Sequence, residues 1–182
     1  MLTPWQLRLT VRRLNAGGII AHPTEAVYGL GCDPCNERAV QRLLALKTRP
    51  AHKGLILLAG DFVQIQPYLN IPPERYAQLL SSWPGPVTWV VPASSRLPSW
   101  LGVDGTIAVR VTAHPLSAAL CRAFGGPLIS TSANPGGKRP ARDALSVRRY
   151  FPEANVLIVH GTTGGAARPS AIYDAVSGAR LR

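Results

Sequence analysis

Three lysines occur in this chain, in which arginine is the usual cation. Lys47 and Lys53 belong to one short segment just before the apolar run 55–58, and Lys138 follows the polar segment 130–134. Cations gathered at the ends of buried strands are typical of a compact anion site, and we expect phosphate groups as the anion. Chance placement on solvated loops is the alternative, and composition alone does not separate the two.

Hydroxyls, glycines or a cation also follow the other apolar runs of the chain. These positions are residues 22–31, Arg110, residues 130–134 and residues 160–165. Ligands of open α/β sheets bind at the carboxyl ends of strands, and such groups can hydrogen-bond to phosphates and carboxylates. Because Arg110 lies among apolar residues, its burial would be costly unless it faced an anion. We expect a ligand carboxylate there, with an internal ion pair as the alternative.

Familiar nucleotide and metal motifs are missing: the chain has no P-loop, no Rossmann fingerprint and no H-E-x-x-H. The spacing of Cys32 and Cys35 is that of redox and zinc sites, but only Cys121 remains as a further sulfur ligand. We therefore expect ordinary thiols. His114 and His160 each stand alone near a strand or turn, and we expect structural histidines rather than general bases.

The composition predicts one folded domain over residues 1–182, with 46% hydrophobic and 16% charged residues. The net charge of +11 favours a polyanionic partner such as nucleic acid or a nucleotide, with a solubilising surface as the alternative. No run of 18 apolar residues and no signal peptide is present, so we expect a cytoplasmic protein without membrane contact. Three cysteines argue against a secreted disulfide scaffold.

Helices and strands that alternate along the chain must position these groups. Helices are predicted from a capping box at Thr3, from a cap at Asn36, after Asp61, from residues 72–73 and over residues 115–124. Strands are predicted at residues 19–21, 54–59, 87–91, 107–111, 128–129, 156–159 and 172–173. The fold class is α/β: a single domain with a twisted, mostly buried mixed sheet flanked by helices.

Five segments occur in the order and rough spacing of a known family. They read PTEAVYGLG at residues 23–31, KTRP at 47–50, WPGPVT at 83–88, AVRV at 108–111 and STSAN at 130–134. Each segment is weak evidence alone, but five in order are highly specific. On them the chain resembles, over about residues 5–182, the YrdC-like family of bacterial threonylcarbamoyl-AMP synthases. The resemblance implies a twisted α/β sheet with a large basic concave face.

The resemblance also implies a reaction. L-Threonine, bicarbonate (or CO2) and ATP give threonylcarbamoyl-AMP and pyrophosphate, and partner proteins transfer the threonylcarbamoyl group to adenosine 37 of tRNAs that read codons beginning with A. Mg2+ is the implied cofactor and would be held mostly by ATP, not by a metal site of the protein. Glu25 is the nearest candidate for a metal or water contact, with packing or capping as the alternative. A non-catalytic module that binds tRNA or ribosomal precursors is the alternative function.

Roles for individual residues follow from the same resemblance. The residues that would hold threonine are Thr24, Arg110, Ser130 and Ser170. The residues that would contact ATP are Lys47, Arg49, Lys53, Thr106, Ser132, Asn134, Ala141 and Arg142. Lys47 and Arg49 would be catalytic, although cations that end a helix are also favoured by its dipole. No covalent nucleophile is implied, so the protein would act by positioning and charge neutralisation.

Three departures from the family pattern bear on these roles. Ala26 stands where many members have Thr, and Ala171 follows Ser170 where Thr is usual. The sequence ends at Arg182, without the linker and second domain of the longer branch. Closure over a nucleotide would then depend on loops of this chain or on partners.

Overall fold

The computed structural model describes residues 2–48, 55–152 and 154–182, whose strands form one eight-stranded sheet. The strands are β1 Ile19–Pro23, β2 Tyr28–Cys32, β3 Ile56–Ala59, β4 Val87–Pro92, β5 Thr106–Val111, β6 Leu128–Ser132, β7 Val156–Ile158 and β8 Ala171–Asp174. The helices are α1 Pro4–Asn15, α2 Glu37–Lys47, α3 Tyr76–Ser81, α4 Pro115–Phe124 and α5 Ala144–Tyr150. The predicted α/β class is confirmed.

The sheet is mixed, and its strand order is β7-β1-β2-β6-β3-β5-β4-β8. The pairs β1–β7, β3–β5 and β4–β8 are parallel, whereas the remaining neighbours are antiparallel. Strands from distant parts of the sequence thus lie side by side at the centre, where β6 separates β2 from β3. Within the described ranges, no helix has the length and apolar character that a membrane crossing requires.

The predicted helix signals act as expected. Thr3 accepts a hydrogen bond from the Gln6 amide and completes a capping box, and Asn36 caps α2 through the Ala39 amide. Helix α4 ends at Gly125, whose φ of 84° lies in the left-handed region that glycine adopts without strain.

The two faces of the sheet are covered unequally. On one face a large apolar cluster packs against α2, α3 and α5, with Leu43, Leu79 and Val147 among its buried members. On the other face a smaller cluster, which includes Leu14 of α1 and Leu120 of α4, covers only one part of the sheet. Because side chains alternate along a strand, half of the residues of β5 and β6 face this second side. The part of this second face that the smaller cluster leaves uncovered forms an open concavity.

Several predicted elements differ from the observed ones. The sequence predicts that residues 22–31 follow a strand, but residues 28–31 belong with Cys32 to β2, and residues 130–132 lie inside β6 and not after it. Glycines make residues 28–32 resemble a loop, but here they allow close strand packing. A Cβ on Gly31 would lie 2.9 Å from the carbonyl oxygen of Ile129 on β6.

The predicted helices of the middle segment are shorter than expected. The cap at Asp61 opens only a 3-10 turn, Phe62–Gln64, and the prolines open another, Pro73–Arg75, before α3 begins. Helix α5 was not predicted; its cap is Asp143, which accepts from the Ser146 amide. The strand predicted at 54–59 begins at residue 54, which lies outside the described residues.

Candidate active site

A cavity of about 550 Å³ occupies the open part of the second face. Six of the predicted site residues line it: Thr24, Thr106, Arg110, Ser130, Ser132 and Ser170. They come from the β1–β2 turn, from β5 and β6, and from the residue just before β8. Apolar side chains between them form the walls, among them Ile56, Val90 and Ile172. The cavity therefore combines a few polar groups with an apolar lining, as small-molecule sites do.

Arg110 lies at the base of this cavity and is 7% exposed. Its Nη2 is 3.3 Å from Oε2 of Glu25, and its Nε has no hydrogen-bond partner among the described residues. Burial lowers the pKa of Arg110 and the Glu25 carboxylate opposes that shift. The internal ion pair that the sequence left as an alternative is thus present. A ligand carboxylate on Arg110 remains a prediction.

Glu25 is fixed through its other oxygen. Oε1 accepts hydrogen bonds from Oγ1 of Thr112 at 2.6 Å and from the Ala113 amide at 3.1 Å. Burial acts to raise the pKa of Glu25, but Arg110 and these hydrogen bonds outweigh it and hold the pKa below its usual value. Glu25 is therefore a carboxylate at neutral pH that makes contacts within the protein, and a metal or water contact remains a prediction.

The hydroxyl groups of the cavity fall into two kinds. Those of Thr24 and Thr106 each donate to a carbonyl of their own turn at 2.8 Å, and Ser170 pairs with Thr88 at 2.9 Å. The hydroxyls of Ser130 and Ser132 make no hydrogen bond within the described part of the chain. A hydroxyl that has given its hydrogen to the protein can still accept from a ligand, whereas Ser130 and Ser132 can also donate.

Lys47 lies beside the cavity and not in its lining. Its ammonium, at the end of α2, donates to the carbonyl oxygens of Ser132 and, at 2.9 Å, of Asn134. The side chain is 3% exposed. A buried ammonium that holds two carbonyls of one segment fixes the end of β6, so Lys47 connects α2 to a strand that contributes to the cavity.

Three other predicted nucleotide residues lie outside the cavity lining. Asn134 donates to the carbonyls of Pro135 and Lys138, and Ala141 is buried and engaged through its backbone. Arg142 is exposed and donates to the carbonyl of Ala167 at 2.9 Å. Arg49 and Lys53 lie outside the described residues. The nucleotide roles of all these residues remain predictions.

Four buried polar residues, His22, Thr112, His114 and Ser117, are joined by hydrogen bonds into a closed polar layer at the start of α4. The Ser117 hydroxyl donates to the Pro23 carbonyl at 2.6 Å, so Nδ1 of His22, 2.8 Å away, must donate to that hydroxyl. Burial lowers the pKa of His22 to about 4, so the ring is neutral at physiological pH. His114 caps α4 and its Nε2 contacts the Thr162 carbonyl, as expected for a structural histidine.

The cysteines are unpaired thiols. Cys32 is buried and Cys35 is exposed, and burial raises the pKa of Cys32 and of Cys121 to about 12. Within the described ranges, no group of three or more His, Cys, Asp or Glu side chains could hold a metal ion.

Two cations of the cavity lining were missed by the sequence reasoning. Arg168 and Arg182 both line the cavity, and Arg182 donates to the Ser170 carbonyl at 3.1 Å. Arg168 lies two residues before Ser170, so its position beside a predicted motif was an available signal. Arg182 offered none, because residues 178–182 reach the cavity by folding back along β8.

Comparison with known proteins identifies the family. A family model for Sua5, YciO and YrdC proteins, described as telomere recombination, matches residues 12–182. The chain belongs to the Sua5/YciO/YrdC family. Two family members named threonylcarbamoyl-AMP synthase are similar over nearly their whole length. The protein of Halorhodospira halophila is 55% identical over 98% of this chain and 95% of its own. That of Methylococcus capsulatus is 50% identical over 100% and 98%.

Solved structures of the Sua5/YciO/YrdC family have the same fold. P. abyssi Sua5 complexed with L-threonine superposes with a TM-score of 0.88 at 33% identity, over 96% of this chain and 52% of the Sua5 chain. E. coli YciO superposes with a TM-score of 0.86 at 23% identity, over 96% and 85%, which supports the fold alone. The chain thus spans about half the length of Sua5 but nearly all of the two bacterial synthases.

Proposed function

We propose that this protein is an ATP-dependent threonylcarbamoyl-AMP synthase, which converts L-threonine, bicarbonate (or CO2) and ATP to threonylcarbamoyl-AMP and pyrophosphate. The observation that carries the proposal is one cavity in which the buried Arg110 lies beside the hydroxyl groups of five other predicted site residues. Relatives that bear this name are 50% to 55% identical to it over almost its whole length. They do not favour the alternative of a non-catalytic RNA-binding module.

Threonine would bind at the Arg110 end of the cavity. The guanidinium suits a carboxylate because its planar fork can donate two parallel hydrogen bonds. Ser130 can donate to the same ligand, and Thr24 can accept from it, since its hydroxyl already donates to the Val27 carbonyl. Ser170 shares a hydrogen bond with Thr88 and would accept or donate according to which of the two hydroxyls is the donor. The L-threonine complex of the related P. abyssi Sua5 supports this choice of ligand.

ATP would bind with its phosphates toward the end of α2. Lys47 and Arg49 would act as catalytic residues and Lys53 as a further triphosphate contact. Thr106, Ser132, Asn134, Ala141 and Arg142 would contact the rest of the nucleotide. Mg2+ would come with the triphosphate and be held mainly by it, because Glu25, the one carboxylate among the described cavity residues, is paired with Arg110. The ion would neutralise charge on the phosphate oxygens.

The chemistry requires positioning and not a protein nucleophile. The amine of threonine forms a bond to the carbon of CO2, which gives a carbamate and releases a proton. An oxygen of that carbamate attacks the α-phosphorus of ATP, and pyrophosphate leaves. Cations beside the triphosphate lower the barrier by stabilising the charge that develops on the leaving group.

We further propose that the product serves tRNA modification in the cytoplasm. Partner proteins would transfer the threonylcarbamoyl group to adenosine 37 of tRNAs that read codons beginning with A. The net charge of +11 supports contact with a polyanion such as tRNA.

Pyrophosphate release tests the enzyme directly. We expect release from ATP and Mg2+ only when both threonine and bicarbonate are present, together with a threonylcarbamoyl-AMP product that mass spectrometry detects. Omission of either co-substrate is the control. Pyrophosphate release that does not depend on both co-substrates would contradict the proposal.

A further inference from the structure

One acidic side chain lies among the described residues that line the cavity. Glu25 is that residue, and the basic residues beside it are Arg110, Arg168 and Arg182. A cavity built only to attract anions would gain nothing from a carboxylate at its base. The role of Arg110 implied by the family resemblance, binding of the threonine carboxylate, does not explain why Glu25 already balances the charge of Arg110.

Glu25 is held so that one oxygen is committed to the protein and the other to Arg110. Oε1 accepts from Thr112 and from the Ala113 amide, at the start of the turn that leads into α4. Oε2 contacts Arg110 at 3.3 Å and has no hydrogen-bond partner among the described residues. The carboxylate is therefore fixed in place by the scaffold, and Arg110 does not have to move to meet it.

The pair sets the charge at the base of the cavity. Both side chains are largely buried, with exposed fractions of 8% for Arg110 and 12% for Glu25, so solvent screens their charges weakly. Both are charged at neutral pH, because the pKa of Glu25 lies below its usual value and a guanidinium stays protonated. The pair itself is thus close to neutral, although Arg182 also acts on Arg110 and Arg168 lines the same cavity.

We propose that Glu25 makes the Arg110 end of the cavity selective for net-neutral amino acids over simple carboxylates. A carboxylate ligand that approaches Arg110 also approaches Glu25, and the repulsion cancels much of its attraction. An α-amino acid carries an ammonium beside its carboxylate, and the negative charge of Glu25 favours that ammonium in the same way. Specificity would come from a repulsive element as well as from an attractive one. The choice of threonine as the amino acid rests on the proposed function.

Binding of matched ligands tests this inference without catalysis. L-Threonine is compared with 3-hydroxybutanoate, which lacks only the amine, by isothermal titration calorimetry at neutral pH without ATP. We expect the unmodified protein to prefer threonine. Glu25→Gln keeps the shape and can still accept from Thr112. We expect it to weaken threonine binding by about tenfold, or about 1.4 kcal/mol, and to leave 3-hydroxybutanoate binding unchanged or tighter.

A matched control is Glu37→Gln, which removes one exposed carboxylate of α2 whose described contact is Gln41. It should change the affinity for neither ligand. A loss of the same factor for both ligands in Glu25→Gln would overturn the inference, because Glu25 would then only orient Arg110. Equal affinity of the unmodified protein for the two ligands would also overturn it.

A second variant covers the case in which Glu25→Gln does not fold. Replacing both members of a buried ion pair by uncharged residues of similar volume is often tolerated, so Glu25→Gln with Arg110→Met is the choice. This double variant should bind both ligands weakly and without preference, and retention of the original preference would refute the role of the pair.

Failure of the inference and failure of the proposed function give different results. A protein that prefers threonine but releases no pyrophosphate contradicts the synthase proposal alone. A protein that releases pyrophosphate but whose Glu25→Gln variant loses both ligands equally contradicts the selectivity alone.

Discussion

Ser117 and Ser130 lie on the same face of the sheet, but Ser117 belongs to the closed polar layer and Ser130 to the cavity. Ser117 is a fully buried residue of α4; its hydroxyl donates to the Pro23 carbonyl and accepts from the His22 ring. Ser130 lines the cavity, and its hydroxyl has no partner within the described ranges. The two residues are chemically identical. Whether the protein itself satisfies the hydroxyl decides which of them is available to a ligand.

The glycines of β2 show the same contrast. A Cβ on Gly29, which lines the cavity, would lie 2.9 Å from the Ser130 hydroxyl and, in ordinary contact, 3.5 Å from Nε2 of His22. A Cβ on Gly31 would lie 2.9 Å from the Ile129 carbonyl and 3.3 Å from the His22 ring. One glycine therefore leaves room for the open polar groups, and the other allows the closed polar layer to pack against the sheet. Substitution of the first should affect function, and of the second stability.

The largest effect is expected from Lys47→Ala, at the end of α2 beside the cavity. If the ammonium neutralises the triphosphate as well as holding the carbonyls of Ser132 and Asn134, turnover should fall by about a thousandfold, or about 4 kcal/mol. Pyrophosphate release at saturating substrates measures the effect, and thermal unfolding checks that the fold is retained. Lys138→Ala, at an exposed position, is the control and should stay near the original rate. An unchanged rate in Lys47→Ala would reduce Lys47 to a structural cation.

The next effect is expected in the closed polar layer, from the titration of His22. Its folded-state pKa of about 4 lies below the ordinary value of 6.5, so the unfolded chain binds the proton more readily. The resulting stability is fully present above pH 6.5 and is lost as the pH falls toward 4. The whole window corresponds to about 3 kcal/mol in the free energy of unfolding.

Urea unfolding at pH 7, 6 and 5 measures this dependence above the range where carboxylates titrate. The slope should disappear in His22→Gln and persist in His160→Gln, because His160 is exposed. The charged or titratable neighbours that act on His22 are Arg110, His114 and Glu25. The same slope in both variants would show that His22 is not the group that titrates.

Much of the fold was predictable because its signals are local. The caps at Thr3 and Asn36, the helix 115–124 and the apolar strands need only a few neighbouring residues to be recognised. Strand β2 was not predicted, because its glycines are explained by contacts with β6 residues about a hundred positions away in the sequence. Helix α5 was also missed, and the signal at Asp61 did not reveal that only a short 3-10 turn follows it.

The site was predictable to the extent that polar residues follow apolar runs. That pattern, together with the family resemblance, gave Thr24, Arg110 and Ser130, which the fold brings to one cavity. It could not reveal that Glu25 neutralises Arg110, because the partner of a buried charge depends on tertiary contacts. Nor could it separate Ser117 from Ser130, since both are small polar residues beside apolar ones.

The smallest effects give the sharpest test of the distinction between the closed polar layer and the cavity, because one substitution is made in each region. Ser117→Ala removes the hydroxyl to which the His22 ring and the Pro23 carbonyl are bonded, so the free energy of unfolding should fall by about 1–3 kcal/mol. The KM for threonine should stay the same. Ser130→Ala removes a hydroxyl with no described partner, so stability should change by less than about 0.5 kcal/mol. Its KM for threonine should rise by about tenfold, since one ligand hydrogen bond is lost.

Chemical unfolding and threonine-dependent pyrophosphate release, measured on both variants, separate these outcomes. If Ser117→Ala raises the KM and Ser130→Ala lowers stability, the boundary between the closed polar layer and the cavity is misplaced. If both variants show both effects, the two regions form one coupled network, and the satisfaction of a hydroxyl by the protein does not determine its role. The division between the closed polar layer and the cavity is supported only if Ser117→Ala lowers stability alone and Ser130→Ala weakens threonine binding alone.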